Sequence, residues 1–166
     1  MSHSTPICQS FPQQEHDHGA CQAHLMEQAE QLCRQRGGRL TSQRQQVLTV
    51  LAESHACLGA YDILERLAKG AKRRPAPALV YRALEFLMAM GLVHRINRRN
   101  AYVACLQPGH EGATQFWICT SCGVVAETHA AAITETIPPL AESLSFVPER
   151  IFVEIEGLCP ACQQTE

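Results

Sequence analysis

The sequence predicts an α+β fold in two domains, an N-terminal helical domain that ends in a β-hairpin and a smaller α/β domain after it. Apolar residues recur at helical spacing through the first half of the chain, and short strand-like runs bounded by turn residues follow Gly91. Two Cys-x-x-Cys motifs are confined to the second half. They offer a small domain the cross-link that its limited core requires.

Four helices are predicted before the hairpin. The first runs from Leu25 to Arg36 and ends at a pair of glycines. Thr41 or Ser42 caps the second helix, and Gly59 precedes the third. The fourth follows a basic, proline-marked turn at 72–77 and ends at Gly91.

The hairpin consists of two strand-like runs, 92–96 and 101–105, joined by a basic turn. Helices followed by such a hairpin form a winged helix-turn-helix, in which the helix before the hairpin enters the major groove of DNA. On this interpretation Arg82 reaches base edges, and Arg98 and Arg99 at the wing tip contact backbone phosphates. Outside this context, Arg82 would be interpreted as an ordinary solvated helix arginine.

Charge is divided unevenly along the chain. Residues 34–99 hold thirteen of the fourteen Lys and Arg and carry a net charge of +9, whereas residues 100–166 carry −7. This asymmetry indicates that the middle segment binds a polyanion while the C-terminal segment has another role. An ordinary solvated basic face is the alternative.

The second half is predicted to form one small sheet with helices against it. Strands are expected at 115–118, 124–128 and 151–155, and the helical stretch 130–144 is interrupted by Pro138-Pro139. A sheet of this size needs a partner surface, and a second copy of the chain would supply one. The sequence therefore predicts a homodimer.

Four segments follow from this organisation. We expect a flexible tail at 1–20, a winged-helix domain at 21–105, a hinge at 106–114 and a zinc-stapled dimerisation domain at 115–166. No run approaches the roughly 20 apolar residues of a membrane span, and the N-terminus lacks the pattern of a signal peptide. A cytoplasmic protein without a membrane partner is expected.

The paired cysteines are the strongest metal motif. In a reducing compartment, two Cys-x-x-Cys pairs separated by 36 residues indicate a closed tetrahedral zinc site rather than disulfides. The competing chemistry, a thiol-disulfide redox centre, requires one such motif at a helix N-terminus. The predicted structural ligands are Cys119, Cys122, Cys159 and Cys162.

A second set of candidate ligands lies where the basic half meets the acidic half. Taken singly, each has a simpler interpretation as a surface histidine, a buried small side chain or a solvated carboxylate. Together, two imidazoles, one thiolate and one carboxylate suit zinc, and a metal held there would fix the angle between the domains. The set is His94, Cys105, His110 and Glu127.

In order and spacing, the chain resembles the ferric uptake regulator family from about Leu25 to Cys162. Within the family, it is most similar to the zinc uptake regulator branch. Besides the paired cysteines, the motifs that carry the resemblance are Arg39-Leu-Thr-Ser-Gln-Arg44, Ala60-Tyr61-Asp62, Val80-Tyr-Arg-Ala-Leu84 and Gly91-Leu-Val-His94.

The resemblance implies a zinc-responsive transcriptional repressor. Such proteins bind double-stranded operator DNA upstream of zinc-import genes, as homodimers, when zinc is plentiful. It assigns a structural zinc to the four cysteines and a regulatory zinc to the second set, two Zn²⁺ per subunit. By the same resemblance, Tyr61 and Arg82 read bases, and Arg44 and Tyr81 lie near the DNA backbone.

Two other functions stay open. Iron- and peroxide-sensing members of the family carry a His-rich run before the first Cys-x-x-Cys, where this chain has Gly112-Ala-Thr-Gln-Phe-Trp117. Losing those ligands while gaining Cys105 favours zinc over ferrous iron. The remaining alternative is a zinc-ribbon thiol redox protein. No nucleophile, base and oxyanion constellation is present, so we expect neither an enzyme nor a small organic substrate.

Overall fold

The structure, a computed structural model, describes residues 11, 18–53, 55–71, 75–109, 113–149 and 151–164. The predicted ligand His110 lies outside these residues. The first half comprises α1 (His18–Gln35), α2 (Ser42–Ala52), β1 (Leu58–Gly59), α3 (Ala60–Gly70), α4 (Pro77–Ala89), β2 (Val93–Ile96) and β3 (Ala101–Ala104). The second comprises β4 (Gln115–Cys119), β5 (Val125–Thr128), α5 (Ala131–Glu135), α6 (Ile137–Ser143), β6 (Val153–Gly157) and α7 (Pro160–Gln163).

Local signals fix the helix ends in the first half. The hydroxyl of Thr41 accepts the backbone N–H of Arg44 at 3.5 Å and caps α2. The carboxylate of Asp62 accepts the N–H of Gly59 at 3.0 Å before α3. Gly91 has a φ of +69°, a left-handed conformation that glycine adopts without a Cβ clash, so α4 ends there as predicted.

The helices bury one apolar stripe each in a common core. Apolar residues of α2 and α4 at helical spacing are buried, including Leu48, Leu51, Leu84 and Leu87. Leu25, Ala29 and Cys33 of α1 join the same cluster, as do residues of the hairpin. The hairpin β2–β3, with β1 beside β3, forms an antiparallel sheet in the order β1-β3-β2. This is the predicted winged helix-turn-helix.

The second half forms a sheet in the order β5-β4-β6. Strands β4 and β5 are an antiparallel hairpin, whereas β6 pairs with β4 in parallel. A parallel pairing needs a crossover connection, and α5 and α6 supply it. Pro138 and Pro139 lie in the first turn of α6, where a missing N–H costs little, so they open the second helix.

Several boundaries differ from the prediction. The first helix begins at His18 rather than Leu25. The prediction missed its first turns because they carry no apolar stripe. The Gln22 side chain ties them to α2 by donating to the carbonyl of Thr49 at 3.3 Å. Residues 18–20 are therefore helical rather than part of a flexible tail. The last strand is 153–157 rather than 151–155, and β1 and α7 were not predicted.

A second apolar cluster joins the two halves. Ile96 and Val103 of the wing pack with Phe116, Ile118 and Val125 of the C-terminal sheet, and all five are buried. The wing therefore has one face on the helices and the other on this sheet. Among the described residues, no helix combines the length and apolarity that a membrane crossing requires.

Candidate metal centres and nucleic-acid interface

The four predicted cysteines meet at one end of the C-terminal sheet. Cys119 ends β4, Cys122 follows in the tight turn, and Cys159 and Cys162 flank the start of α7 after β6. Their sulfur atoms lie within 4.8 Å of one another. Because β4 and β6 run in parallel, both Cys-x-x-Cys turns leave the sheet at the same edge. The register of these strands thus explains why the distant pairs converge.

The spacing and hydrogen bonding of the sulfurs suit zinc. Two thiolates bonded at ~2.3 Å in a tetrahedron lie about 3.8 Å apart, and Sγ of Cys122 is 3.7 Å from Sγ of Cys159. Burial opposes ionisation of Cys119, but the backbone N–H groups of Cys122, Cys159 and Ser121 outweigh it and lower its pKa to about 6. Burial and the neighbouring thiols raise the pKa of Cys122 to about 12. Such a cluster favours at least one thiolate, and a bound divalent cation would stabilise the other sulfurs in the same ionised form.

The second set converges where the wing meets the C-terminal sheet. His94 lies on β2, Cys105 follows β3, and Glu127 lies on β5. Oε1 of Glu127 is 3.5 Å from Nε2 of His94 and 3.6 Å from Sγ of Cys105. Ligands around a tetrahedral zinc lie about 3.4–3.6 Å apart for these atom types. The three residues therefore fit a zinc ion and bring together a thiolate, an imidazole and a carboxylate.

Local contacts orient these ligands. Phe116 pairs with Glu127 across β4 and β5, so both side chains project from the same face of the sheet. The ring of His94 lies 5.1 Å from that of Phe116, tilted by 55°. Burial opposes ionisation of Glu127, but hydrogen bonds from His94 and from the Leu106 N–H outweigh it and hold its pKa below the usual value. The carboxylate is thus buried in its anionic form.

Sequence reasoning missed His129. Its Nε2 lies 3.3 Å from Oε1 of Glu127 and 3.4 Å from the hydroxyl of Thr114. It contacts the carboxylate but lies outside the set whose ligand atoms are mutually close. The signal that could have found it is the spacing of two residues from Glu127, which places both side chains on one face of extended backbone.

The predicted DNA-facing residues divide into two groups. Tyr61 on α3 and Tyr81 and Arg82 on α4 are exposed, and 72% of the Tyr61 surface is accessible. Arg44 is half-buried instead: its guanidinium stacks 3.4 Å from the centre of the Phe86 ring and donates to the carbonyl of Arg39. This contact orders the start of α2.

The wing arginines are also engaged within the chain. Nε of Arg98 lies 2.9 Å and Nε of Arg99 3.6 Å from the carboxylate of Glu156 on β6. The tip that was predicted to contact phosphates therefore rests on acidic residues of the C-terminal sheet. The opposite charges of the two halves, interpreted from sequence as a sign of polyanion binding, are in part complementary to each other.

The protein matches known sequences over most of its length. The model of the ferric uptake regulator family matches residues 35–156. The chain belongs to the ferric uptake regulator family. It is 39% identical over 145 residues to the zinc uptake regulation protein of Escherichia coli (strain K12), which covers 86% of this chain and 83% of that protein.

Solved structures of ferric uptake regulator family members share the fold. A zinc uptake regulator complexed with zinc and DNA superposes with a TM-score of 0.82 at 35% identity, covering 87% of this chain and 96% of that one. Holo XcZur superposes with a TM-score of 0.77 at 33% identity, covering 86% and 99%. The apo form of XcZur reaches only 0.52, at 34% identity and similar coverage. Because identity and coverage hardly differ, the two XcZur scores reflect conformation.

Proposed function

We propose that this protein is a zinc-responsive transcriptional repressor that binds double-stranded operator DNA as a homodimer and controls zinc-uptake genes in the cytoplasm. The observation that carries the proposal is the convergence of His94, Cys105 and Glu127 at the contact between the wing and the C-terminal sheet. A ligand set of this kind responds to zinc, and its position makes zinc occupancy a constraint on the wing.

The proposal assigns two zinc ions to each subunit. The structural ion is held by Cys119, Cys122, Cys159 and Cys162, and the regulatory ion by His94, Cys105 and Glu127 with His110 as the fourth ligand. A regulatory ion would supply coordinate bonds that join β2 and β3 of the wing to β5. The chain's own part is to present a buried anionic carboxylate and an imidazole held by Phe116 at that joint.

The conformational comparison supports this role. The described arrangement matches holo XcZur far better than apo XcZur. We therefore assign the arrangement to the zinc-loaded, DNA-competent state. In this state α4 presents Arg82 and Tyr81 to solvent, and Tyr61 is exposed on α3. Arg82 would read base edges with Tyr61, and Tyr81 would lie near the backbone.

A homodimer is supported by apolar exposure in the C-terminal part. The segment that follows α6 exposes three large apolar side chains, those of Leu144, Phe146 and Val147. Leu140 and Phe152 are also largely exposed. Large apolar side chains concentrated in one segment indicate an interaction surface. Two copies would present their α4 helices to DNA half-sites roughly 34 to 36 Å apart. On this basis we propose a winged-helix domain that reaches 105 and begins with α1 at His18 rather than at 21, a hinge at 106–114 and a dimerisation domain at 115–166.

The test measures operator binding by the purified protein as a function of buffered free zinc concentration, for the wild-type chain and for Cys105→Ser. The operator is first selected from a random duplex pool by zinc-loaded protein. We expect zinc-dependent binding that Cys105→Ser loses while retaining its four-cysteine zinc and its fold. Binding that ignores both zinc and the substitution would contradict the regulatory site.

Ferrous iron provides the control for metal identity. Protein that retains only its structural zinc is titrated with Fe²⁺ under anaerobic conditions and with Zn²⁺ in parallel. The proposal predicts that zinc restores operator binding at a far lower free concentration than iron does, because the set includes a thiolate. Preferential restoration by iron would assign the protein to iron sensing instead.

A further inference from the structure

The wing tip is held by a carboxylate of the C-terminal sheet. Oε1 of Glu154 accepts the backbone N–H of Asn97 at 2.7 Å, and Oε2 accepts that of Arg98 at 3.1 Å. Both carboxylate oxygens are therefore committed to consecutive N–H groups of the turn between β2 and β3. Charge-assisted bonds of this kind to backbone donors are stronger than neutral ones and fix orientation as well as distance.

Glu156, two residues further along β6, holds the side chains of the same turn. Its two oxygens lie 2.9 Å from Nε of Arg98 and 3.6 Å from Nε of Arg99. Residues two apart on a strand project from the same face, so Glu154 and Glu156 meet the wing tip side by side. Nη2 of Arg99 also donates to the carbonyl of Cys119 at 3.2 Å, which ties the tip to a structural zinc ligand.

Backbone contacts from a second segment of the winged-helix region also join it to the C-terminal sheet. The N–H of Val125 donates to the carbonyl of His55 at 2.9 Å, and Ala56 and Val124 form an antiparallel bridge. The turn after Cys122 is therefore paired with the segment before β1. Two separate parts of the winged-helix region, the wing tip and the segment at 55–56, thus contact the C-terminal sheet through residues other than His94 and Glu127.

We propose that Glu154 and Glu156 are positioning residues that seat the wing tip on the C-terminal sheet and so set the orientation of α4 for DNA. This inference rests on the proposed function and adds a second point of attachment to the regulatory zinc. The contacts of Glu154 and Glu156 and the regulatory zinc stabilise the same arrangement of the wing. The contacts therefore lower the free zinc concentration that is needed to populate this arrangement. Arg98 and Arg99 act on DNA through this seat and not as phosphate contacts.

Single and double substitutions distinguish a seat from a phosphate contact. If the seat orients α4, Arg98→Ala and Glu156→Ala both raise the free zinc needed for half-maximal operator binding, by about threefold each for so exposed a pair. The double variant shifts it no further than the larger single effect. If Arg98 instead contacts a phosphate, Arg98→Ala weakens binding and reduces the salt slope by about one, whereas Glu156→Ala strengthens binding. The second pattern overturns the inference.

Glu154→Ala tests the backbone part of the seat. We expect its zinc midpoint to rise by about tenfold, because two charge-assisted bonds are lost. The amides of Asn97 and Arg98 should lose hydrogen-exchange protection even without DNA. Glu135→Ala, which makes the same change at an exposed carboxylate of α5, is the matched control and should leave both measurements unchanged. Unchanged protection and an unchanged midpoint in Glu154→Ala would overturn the inference.

Rescue and folding controls complete the experiment. Combining Arg98→Glu with Glu156→Arg should recover only part of the binding that each reversal loses alone, because the arginine introduced at position 156 restores the pair with position 98 but also faces Arg99. The zinc content of the four-cysteine site is measured for every variant and identifies any variant that fails to fold. If Glu156→Ala does not fold, Glu156→Gln replaces it. Wild-type protein that fails to bind DNA with zinc contradicts the proposed function itself, whereas wild-type binding with unaffected variants contradicts only the seat.

Discussion

Nε2 of His94 lies 3.5 Å from Oε1 of Glu127, across the boundary between the wing sheet and the C-terminal sheet. The pair is one of several contacts there, since Cys105 approaches the same oxygen and the buried cluster around Phe116 and Val103 lies beside it. The two sheets therefore meet through an apolar surface that surrounds an anionic carboxylate. An isolated buried charge is costly, so this arrangement gains from a bound cation.

The charge of Glu127 is predicted to be essential for the regulatory zinc. Glu127→Gln keeps the size of the side chain and an acceptor for the Leu106 N–H, but it removes the negative charge beside His94 and Cys105. We expect zinc affinity at this site to fall by at least about 100-fold, more than is usual for residues that only support a ligand. Competition with a zinc-binding dye measures it, with Glu135→Gln as control. A loss of less than about tenfold would place Glu127 outside the ligand set.

His129 and His110 are predicted to have different roles. His129 contacts Glu127 and Thr114 without joining the mutually close ligand atoms, so His129→Asn should reduce zinc affinity by about 10- to 100-fold through the orientation of the carboxylate. His110→Ala should cost as much as Cys105→Ser. X-ray absorption spectra of zinc-loaded variants separate the two cases. A lost nitrogen ligand in His129→Asn, with none lost in His110→Ala, would reverse the assignment.

The four-cysteine site is predicted to stabilise the C-terminal part as a unit. Cys159 is buried, and its Sγ lies 3.7 Å from Sγ of Cys122. Cys159→Ser therefore leaves only three thiols at the site, which should no longer bind zinc tightly. Structural zinc contributes on the order of 10 kcal/mol in peptides, more than the core of a small domain provides. We expect loss of the dimer in sedimentation and of cooperative unfolding. Cys33→Ala, at a buried cysteine of α1 distant in sequence, is the control.

The sequence was sufficient wherever local chemistry decides structure. Thr41, Gly59 and Gly91 each end or begin a helix through a cap or a left-handed turn, and they lie where they were predicted. The convergence of the cysteine pairs was predicted because metal coordination demands it, independently of the strands between them. The last strand was misplaced by two residues because an alternating pattern fixes the face of a strand better than its ends.

Contacts between distant segments could not be predicted in the same way. Glu154 lies 57 residues from Asn97, and a carboxylate on a strand gives no local sign of its partner. The engagement of Arg44 with Phe86 has the same character, because stacking across two helices depends on their packing. Charge counts indicated that the halves differ, but they could not distinguish attraction to DNA from attraction of one half to the other.

Arg82 is predicted to carry base readout. It is exposed on α4, next to Tyr81, whereas Arg98 and Arg99 are paired with Glu156. Arg82→Ala should weaken binding to the selected operator by about 1–3 kcal/mol and relax the preference at one base pair, because a bidentate contact to a base edge is lost. Glu85→Ala, at an exposed position of the same helix, is the control. Fluorescence anisotropy with the operator and with single-base variants measures both effects. A uniform loss on all sequences, with a salt slope lower by about one, would instead assign Arg82 to a phosphate.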